Sequence, residues 1–235
     1  MAEEELVKFP LRSANVALTG TTHATLLAAP PEGEAYLIRN IYGVNNSGGA
    51  RSLNLHINKA STVTPIWASG SAANSAMFTP VTGGGQPHDF SIVLADTDES
   101  LEIDLSGTGT DVVYAFYEVV ESKNFKSTSV ALTGTSHVTL LAAPPEGVAY
   151  RVFRGYGVNT TGGNATVALH LNTATVATQI WFAIGAANLT SLFTQHTQTP
   201  AAFEIYLSDT DESLEADLAA AGTDRIFCFY EVRES

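Results

Sequence analysis

Six histidines, two acid-rich tetrads, two tryptophans, one cysteine and one glycine run are the groups in this chain suited by type to chemistry. Asp96-Thr-Asp-Glu and Asp209-Thr-Asp-Glu each gather three carboxylates within four residues, the hard oxygen donors that Ca²⁺ accepts, so Asp96, Asp98, Asp209 and Asp211 are the candidate metal ligands. Their spacing lacks the glycine and the closing glutamate of an EF-hand, and such turns are common ahead of strands without any metal. His23 and His137 follow Thr-Gly-Thr-Thr and Thr-Gly-Thr-Ser, while His56 and His170 alternate with apolar residues. Zinc binding or acid–base catalysis needs converging partners, and the chain holds no His-x-His, Glu-x-x-His or cysteine cluster, so these read as turn and surface histidines.

The remaining candidates favour packing over chemistry. Cys228 lies between Phe227 and Phe229 and reads as a buried, inert thiol. Thr82-Gly-Gly-Gly-Gln86 precedes a strand rather than a helix, so it reads as a loop and not as a phosphate cradle. Trp67 and Trp181 could stack on sugar rings, but each follows an isoleucine in an apolar run, which favours a core anchor. No Ser-His-Asp set or isolated acid pair can be assigned, so the expectation is a non-enzymatic chain without a cofactor.

What must position any of these residues is a unit stated twice. Residues 17–33, ALTGTTHATLLAAPPEG, return at 131–147 as ALTGTSHVTLLAAPPEG. The echo continues through Tyr42-Gly-Val-Asn45 and Tyr156-Gly-Val-Asn159, Ile66-Trp67 and Ile180-Trp181, and Phe116-Tyr-Glu-Val119 and Phe229-Tyr-Glu-Val232. A repeat of about 105 residues is too long for a solenoid and long enough to bury its own core. The expected organisation is an N-terminal arm over residues 1–12, a domain over 13–120, a linker over 121–127 and a second domain over 128–235.

Period-two alternation dominates both copies. Leu53, Leu55 and Ile57 alternate with Asn54, His56 and Asn58, and Val167, Leu169 and Leu171 repeat the pattern; Leu101-Glu-Ile-Asp-Leu105 matches Leu214-Glu-Ala-Asp-Leu218, and Phe90, Ile92 and Leu94 match Phe203, Ile205 and Leu207. Turn formers separate these runs, among them the two Pro-Pro-Glu-Gly corners. Helix signals are weak, the best being Gly185-Ala-Ala-Asn-Leu-Thr190. The fold class is therefore all-β: two tandem antiparallel β-sandwiches, jelly-roll-like, with about eight short strands each. Strict alternation would drive Asn40 and Arg154 into the core, which predicts a β-bulge beside each. The last strand of each copy is apolar on both faces and points Tyr114 and Phe116, or Phe227 and Phe229, away from its own core. Aromatics there mark a second contact surface, with the sister domain or another subunit, and Phe9 and Leu11 of the arm join them as interface candidates.

Charge narrows the partners. A formal charge of −13, from 24 acids and 11 bases, repels polyphosphate, so direct nucleic-acid binding is not expected. No apolar run approaches the roughly 18 residues of a membrane span, and MAEEELVKFP lacks the basic-then-apolar order of a secretory signal. One cysteine leaves no intrachain disulfide.

Taken along each unit, V-A-L-T-G-T, T-L-L-A-A-P-P-E-G, Y-x-I-R-N-I-Y-G-V-N, L-x-L-H-I-N, D-T-D-E-S-L and a closing F-Y-E-V resemble small β-sandwich structural domains of tailed-phage virions, found in head decoration (cement) proteins and tail accessory proteins. The resemblance implies a place on the outer surface of a capsid, contacts with the major capsid protein or other virion proteins, homo-oligomers that in such proteins are commonly trimers, and no enzymatic site. A tail or vertex adaptor that meets the host is the alternative within the virion. A tandem carbohydrate-binding module using Trp67 and Trp181 is the alternative outside it.

Overall fold

The structure, a computed structural model, describes residues 11–69, 72–78, 91–160, 162–182, 204–219, 222 and 224–234. Phe9, Thr82-Gly-Gly-Gly-Gln86, Phe90, Phe203 and Gly185-Ala-Ala-Asn-Leu-Thr190 lie outside the described residues, as do the side chains of Trp181 and Phe182. The first half forms β1 (Leu11–Leu18), β2 (Ala24–Leu27), β3 (Glu34–Val44), β4 (Leu53–Lys59), β5 (Thr62–Ala68), β6 (Met77–Phe78), β7 (Ile92–Leu94), β8 (Glu99–Leu105) and β9 (Asp111–Glu121). The second half forms β10 (Phe125–Leu132), β11 (Val138–Leu141), β12 (Val148–Gly157), β13 (Val167–Thr173), β14 (Val176–Phe182), β15 (Ile205–Leu207), β16 (Glu212–Leu218) and β17 (Asp224–Glu234). No helix among the described residues is long and apolar enough to cross a membrane.

Strand pairing is nested. β1 pairs with β9, β2 with β8, β3 with β7 and β4 with β5, all antiparallel, as in one long hairpin doubled over. Cross-pairs β3–β9 and β4–β8 then knit the strands into two sheets, β1-β9-β3 carrying β6 and β7, and β2-β8-β4-β5. That is a jelly roll. The second half repeats it with β10-β17-β12-β15 and β11-β16-β13-β14.

Alternation explains the core. Leu53, Leu55 and Ile57 of β4 and Leu101, Ile103 and Leu105 of β8 face inward and are all buried, leaving His56, Glu102 and Asp104 on the outer face of the same sheet. The predicted bulges are present, with register shifts between Ile38 and Asn40 and between Val152 and Arg154. Because of the first, Ile38 and Ile41, three positions apart, both reach the core, and Asn40 is spared full burial. Gly33 and Gly147, at φ +85° and +78°, close the Pro-Pro-Glu-Gly corners in a conformation that suits glycine.

The hairpin turns between β4 and β5 and between β13 and β14 are made without glycine. Ala60 and Ser61 sit at φ 49° and 66°, and Ala174 and Thr175 at 48° and 75°, as a two-residue turn with left-handed central residues demands. A β-branched residue pays the largest steric penalty there. Thr175→Gly should therefore raise stability by about 0.5–1 kcal/mol, read as a higher urea midpoint; an unchanged or lower midpoint would contradict the turn geometry.

The junction between halves is short. β9 runs to Glu121 and β10 starts at Phe125, so both strands enter the segment expected as a linker, and the chain turns over Ser122, Lys123 and Asn124. β1 likewise begins at Leu11, inside the expected arm. Cys228 is buried within the second core, where loss of solvation pushes its thiol pKa well above the ordinary value.

Candidate functional site

The outer face of the β2-β8-β4 sheet brings histidines together, contrary to the expectation of scattered surface and turn positions. β8 is the middle strand: Ala24 pairs with Ile103, which sets His23 beside Asp104, while on the other side Asn54 pairs with Asp104 and His56 with Glu102. The Nε2 atoms of His23 and His56 lie 3.1 and 3.0 Å from the same oxygen, Asp104 Oδ2, and the two rings stand 4.3 Å apart. Glu102 Oε2 lies 3.6 Å from His23 Nδ1. Asn54 Nδ2 donates to the other Asp104 oxygen at 2.7 Å, and Asn58 Nδ2 donates to Glu102 at 2.6 Å, which fixes both carboxylates.

The second half repeats the arrangement. His137 and His170 Nε2 each lie 3.2 Å from Asp217 Oδ2, their rings stack at 4.0 Å, and Glu215 Oε2 stands 3.3 Å from His137 Nδ1. Asn172 Nδ2 holds Glu215 at 2.7 Å. The ligand atoms of His23, His56 and Asp104 fall within 4.8 Å of one another, as do those of His137, His170 and Asp217. Bulges flank both clusters: the β2–β8 register shifts after Thr25 and the β4–β5 register shifts at Leu55/His56, with matching shifts after Thr139 and at Leu169/His170. Such bulges re-aim side chains next to sites. The signal that could have found the clusters is the repeat itself, since His23, His56, Glu102 and Asp104 all recur as His137, His170, Glu215 and Asp217.

The acidic tetrads do something else. Glu99 folds back so that its Oε2 accepts from the backbone of Ala95 at 3.0 Å and Asp96 at 3.3 Å, and Glu212 does the same for Ser208 and Asp209. Asp96 takes an ion pair with Lys59, and Asp98, Asp209 and Asp211 lie at the surface. The glutamates thus cap their turns, and in the first tetrad Asp96 and Glu99 meet on the Lys59 ammonium, which fills the place a cation would take. Trp67 is only 5% exposed and belongs to the first core, so it offers no face to a sugar ring. Only the backbone of Trp181 is described, paired with Leu169.

The interface candidates divide. Phe227 and Phe229, outward-facing in the second half, are buried together with Tyr156 in one apolar cluster with Ile66, Trp67 and Val93 of the first half. Tyr156 Oη accepts from Ser91 N at 3.2 Å, and Ser127 Oγ donates to Glu99 Oε1 at 2.6 Å across the same joint. Phe153 packs there edge-on to Phe125, 6.4 Å between ring centres. The equivalent face of the first half stays open: Tyr114 is 45% exposed where its counterpart Phe227 is 3% exposed, and Leu11 is exposed with Tyr42 and Phe116 half-buried. Arg39, in the place of Phe153, pairs with Glu118 at 3.2 Å. The receiving surface is unmatched as well, since Ile66 and Val93 are fully buried while their counterparts Ile180 and Tyr206 are 41% and 51% exposed.

No protein-family model and no curated protein sequence matches the chain. Among solved structures it is similar to PNGase F, a glycosylasparaginase from Flavobacterium meningosepticum, with 11% identity, TM-score 0.41, and coverage of 95% of this chain and 96% of that one. It is also similar to the major capsid protein P2 of bacteriophage PM2, with 10% identity, TM-score 0.35, and coverage of 96% and 97%. A structure of Sulfolobus turreted icosahedral virus matches at 17% identity and TM-score 0.30, covering 98% of this chain and 61% of that one.

Proposed function

We propose that this chain is a structural protein of a tailed-phage virion, a capsid decoration protein that binds the outer surface of the shell and stabilises it. The observation that carries this reading is the unequal fate of one sheet face. Phe227 and Phe229 close a joint between the two halves, while Tyr114 and Phe116 present the same kind of face with nothing on it among the described residues. A joint with one half made and its counterpart surfaces open at both ends is a head-to-tail contact that can repeat between copies. Three copies closed around a threefold axis would display six similar units, which suits a lattice of hexamers. The resemblance of both repeats to phage decoration domains and the acidic charge of −13 support the same reading. Stabilisation follows from mass action, because a protein that binds only the assembled lattice favours that lattice.

Two measurements test it. Purified particles should carry the protein in hundreds of copies and lose heat resistance when stripped of it; unchanged resistance overturns the cement role, and a copy number in the tens moves the protein to the tail or a vertex. In solution the chain should sediment as a closed oligomer that Tyr114→Glu with Phe116→Glu reduces to monomers. A wild type that remains monomeric at high concentration removes the head-to-tail contact.

A further inference from the structure

We propose that each half of the chain holds one first-row divalent cation of the zinc type, bound by His23, His56 and Asp104 in the first half and by His137, His170 and Asp217 in the second. Two imidazoles and one carboxylate, with a position left for water, are a donor set that zinc takes in proteins. The spacing fits as well. Ligands about 2.0–2.1 Å from a tetrahedral ion stand roughly 3.3 Å apart, and the four Nε2-to-Oδ2 separations are 3.1, 3.0, 3.2 and 3.2 Å.

Hydrogen bonding alone does not account for the geometry. In the first cluster His56 Nε2 hydrogen-bonds Asp104 Oδ2 at 3.0 Å, but in the second His170 Nε2 is buried and lies 3.2 Å from Asp217 Oδ2, yet it makes no hydrogen bond. A donor aims its N–H at the acceptor, whereas two metal ligands aim at a common third point, and the misaligned approach of His170 is of the second kind. In both clusters two histidine Nε2 atoms gather at one carboxylate oxygen, the convergence of donor atoms that a shared ion requires.

Charge gives a second reason. Glu102 and Asp104 stand at alternate positions on one strand face, and Glu215 and Asp217 do the same. Among the described residues their partners are histidines and asparagines, with no lysine or arginine. Two partly buried carboxylates per cluster, in a chain already at −13, leave a local negative potential that a dication neutralises. An ion there would join three strands: His23 leads into β2, Asp104 lies on β8 and His56 on β4, so the metal ties the edge strand β2 to the centre of its sheet. The exposed positions of His23 and His137 leave an entry path from solvent.

The test uses the untagged full chain, stripped with chelator and dialysed against Zn²⁺, or against Co²⁺ for its visible spectrum. Two ions per chain are expected by elemental analysis, with the intense visible absorbance of tetrahedral Co²⁺ and a raised melting temperature that chelator reverses. Because His23 and His137 are exposed, His23→Ala and His137→Ala should fold, and each should weaken its site at least tenfold and leave one tightly held ion. The double variant should hold none. A wild type that retains no ion, or a stoichiometry that neither variant changes, overturns the assignment. The result stands apart from the virion reading, which rests on the location and copy number of the protein.

Discussion

Phe229→Ala should destabilise the chain by about 3–5 kcal/mol, the usual cost of emptying a fully buried phenylalanine site, while Phe116→Ala at the matching position should cost under about 1 kcal/mol. The side chains are identical and the repeat places them alike, so the difference measures the joint. Phe229 is fully buried against the first half and its ring meets that of Tyr156 at 5.7 Å. Phe116 is half-buried, edge-on to Tyr42 at 5.9 Å. Urea unfolding gives both values. A joint opened by Phe229→Ala should also split one transition into two as the halves melt separately, and equal losses for the two variants would mean that the halves do not pack through this face.

Glu99→Ala should cost about 3 kcal/mol, against about 1 kcal/mol for Glu212→Ala. Each carboxylate caps its turn through two backbone N–H groups. Only Glu99, fully buried, also accepts from Ser127 Oγ at 2.6 Å across the joint and from Lys59 Nζ at 3.0 Å. Its removal strands several donors at once, whereas the Glu212 cap stands next to water. Lys59 adds a pH signature. Burial lowers its pKa, but the hydrogen bonds and charges of Asp96 and Glu99 outweigh that and raise it above the ordinary lysine value. A raised lysine pKa means the folded chain binds the proton more tightly, so this contribution is complete below about pH 10 and fades as the pH rises further. Stability should fall on the alkaline side, and less steeply in Glu99→Ala; identical alkaline limbs in wild type and variant would remove the Lys59–Glu99 pair as a source of stability.

Much of the fold was legible because it is written locally. Alternation in Leu53-Asn-Leu-His-Ile57 and the Pro-Pro-Glu-Gly corners name strands and turns directly, and Asn40 and Arg154 betrayed their bulges by standing where a core residue belonged. The outward aromatics announced a contact but not its owner, since Tyr114 and Phe227 sit in equivalent strands and differ only in what lies opposite. The histidine clusters were hidden for another reason. Their ligands come from the lead-in to one strand and the middles of two others, and only the pairing order β2-β8-β4 makes neighbours of His23, Asp104 and His56. No short motif carries such an arrangement; the double retention of all four residues was the available clue. Strands run into the expected linker because polar residues such as Lys126 and Ser127 serve equally well on an edge strand, and they lie in β10.

The three-residue turn between β9 and β10 makes the contact between the halves unimolecular. Covalent tethering of this length holds partners at an effective concentration on the order of millimolar, so dilution cannot separate them. In the proposed head-to-tail assembly, the matching contact of the open face would have no such tether and would respond to concentration. In that assembly one chain would carry a permanent bond and a conditional bond of the same design. On that proposal the protein stays a stable, unassembled piece while dilute and closes into oligomers only where copies are crowded together.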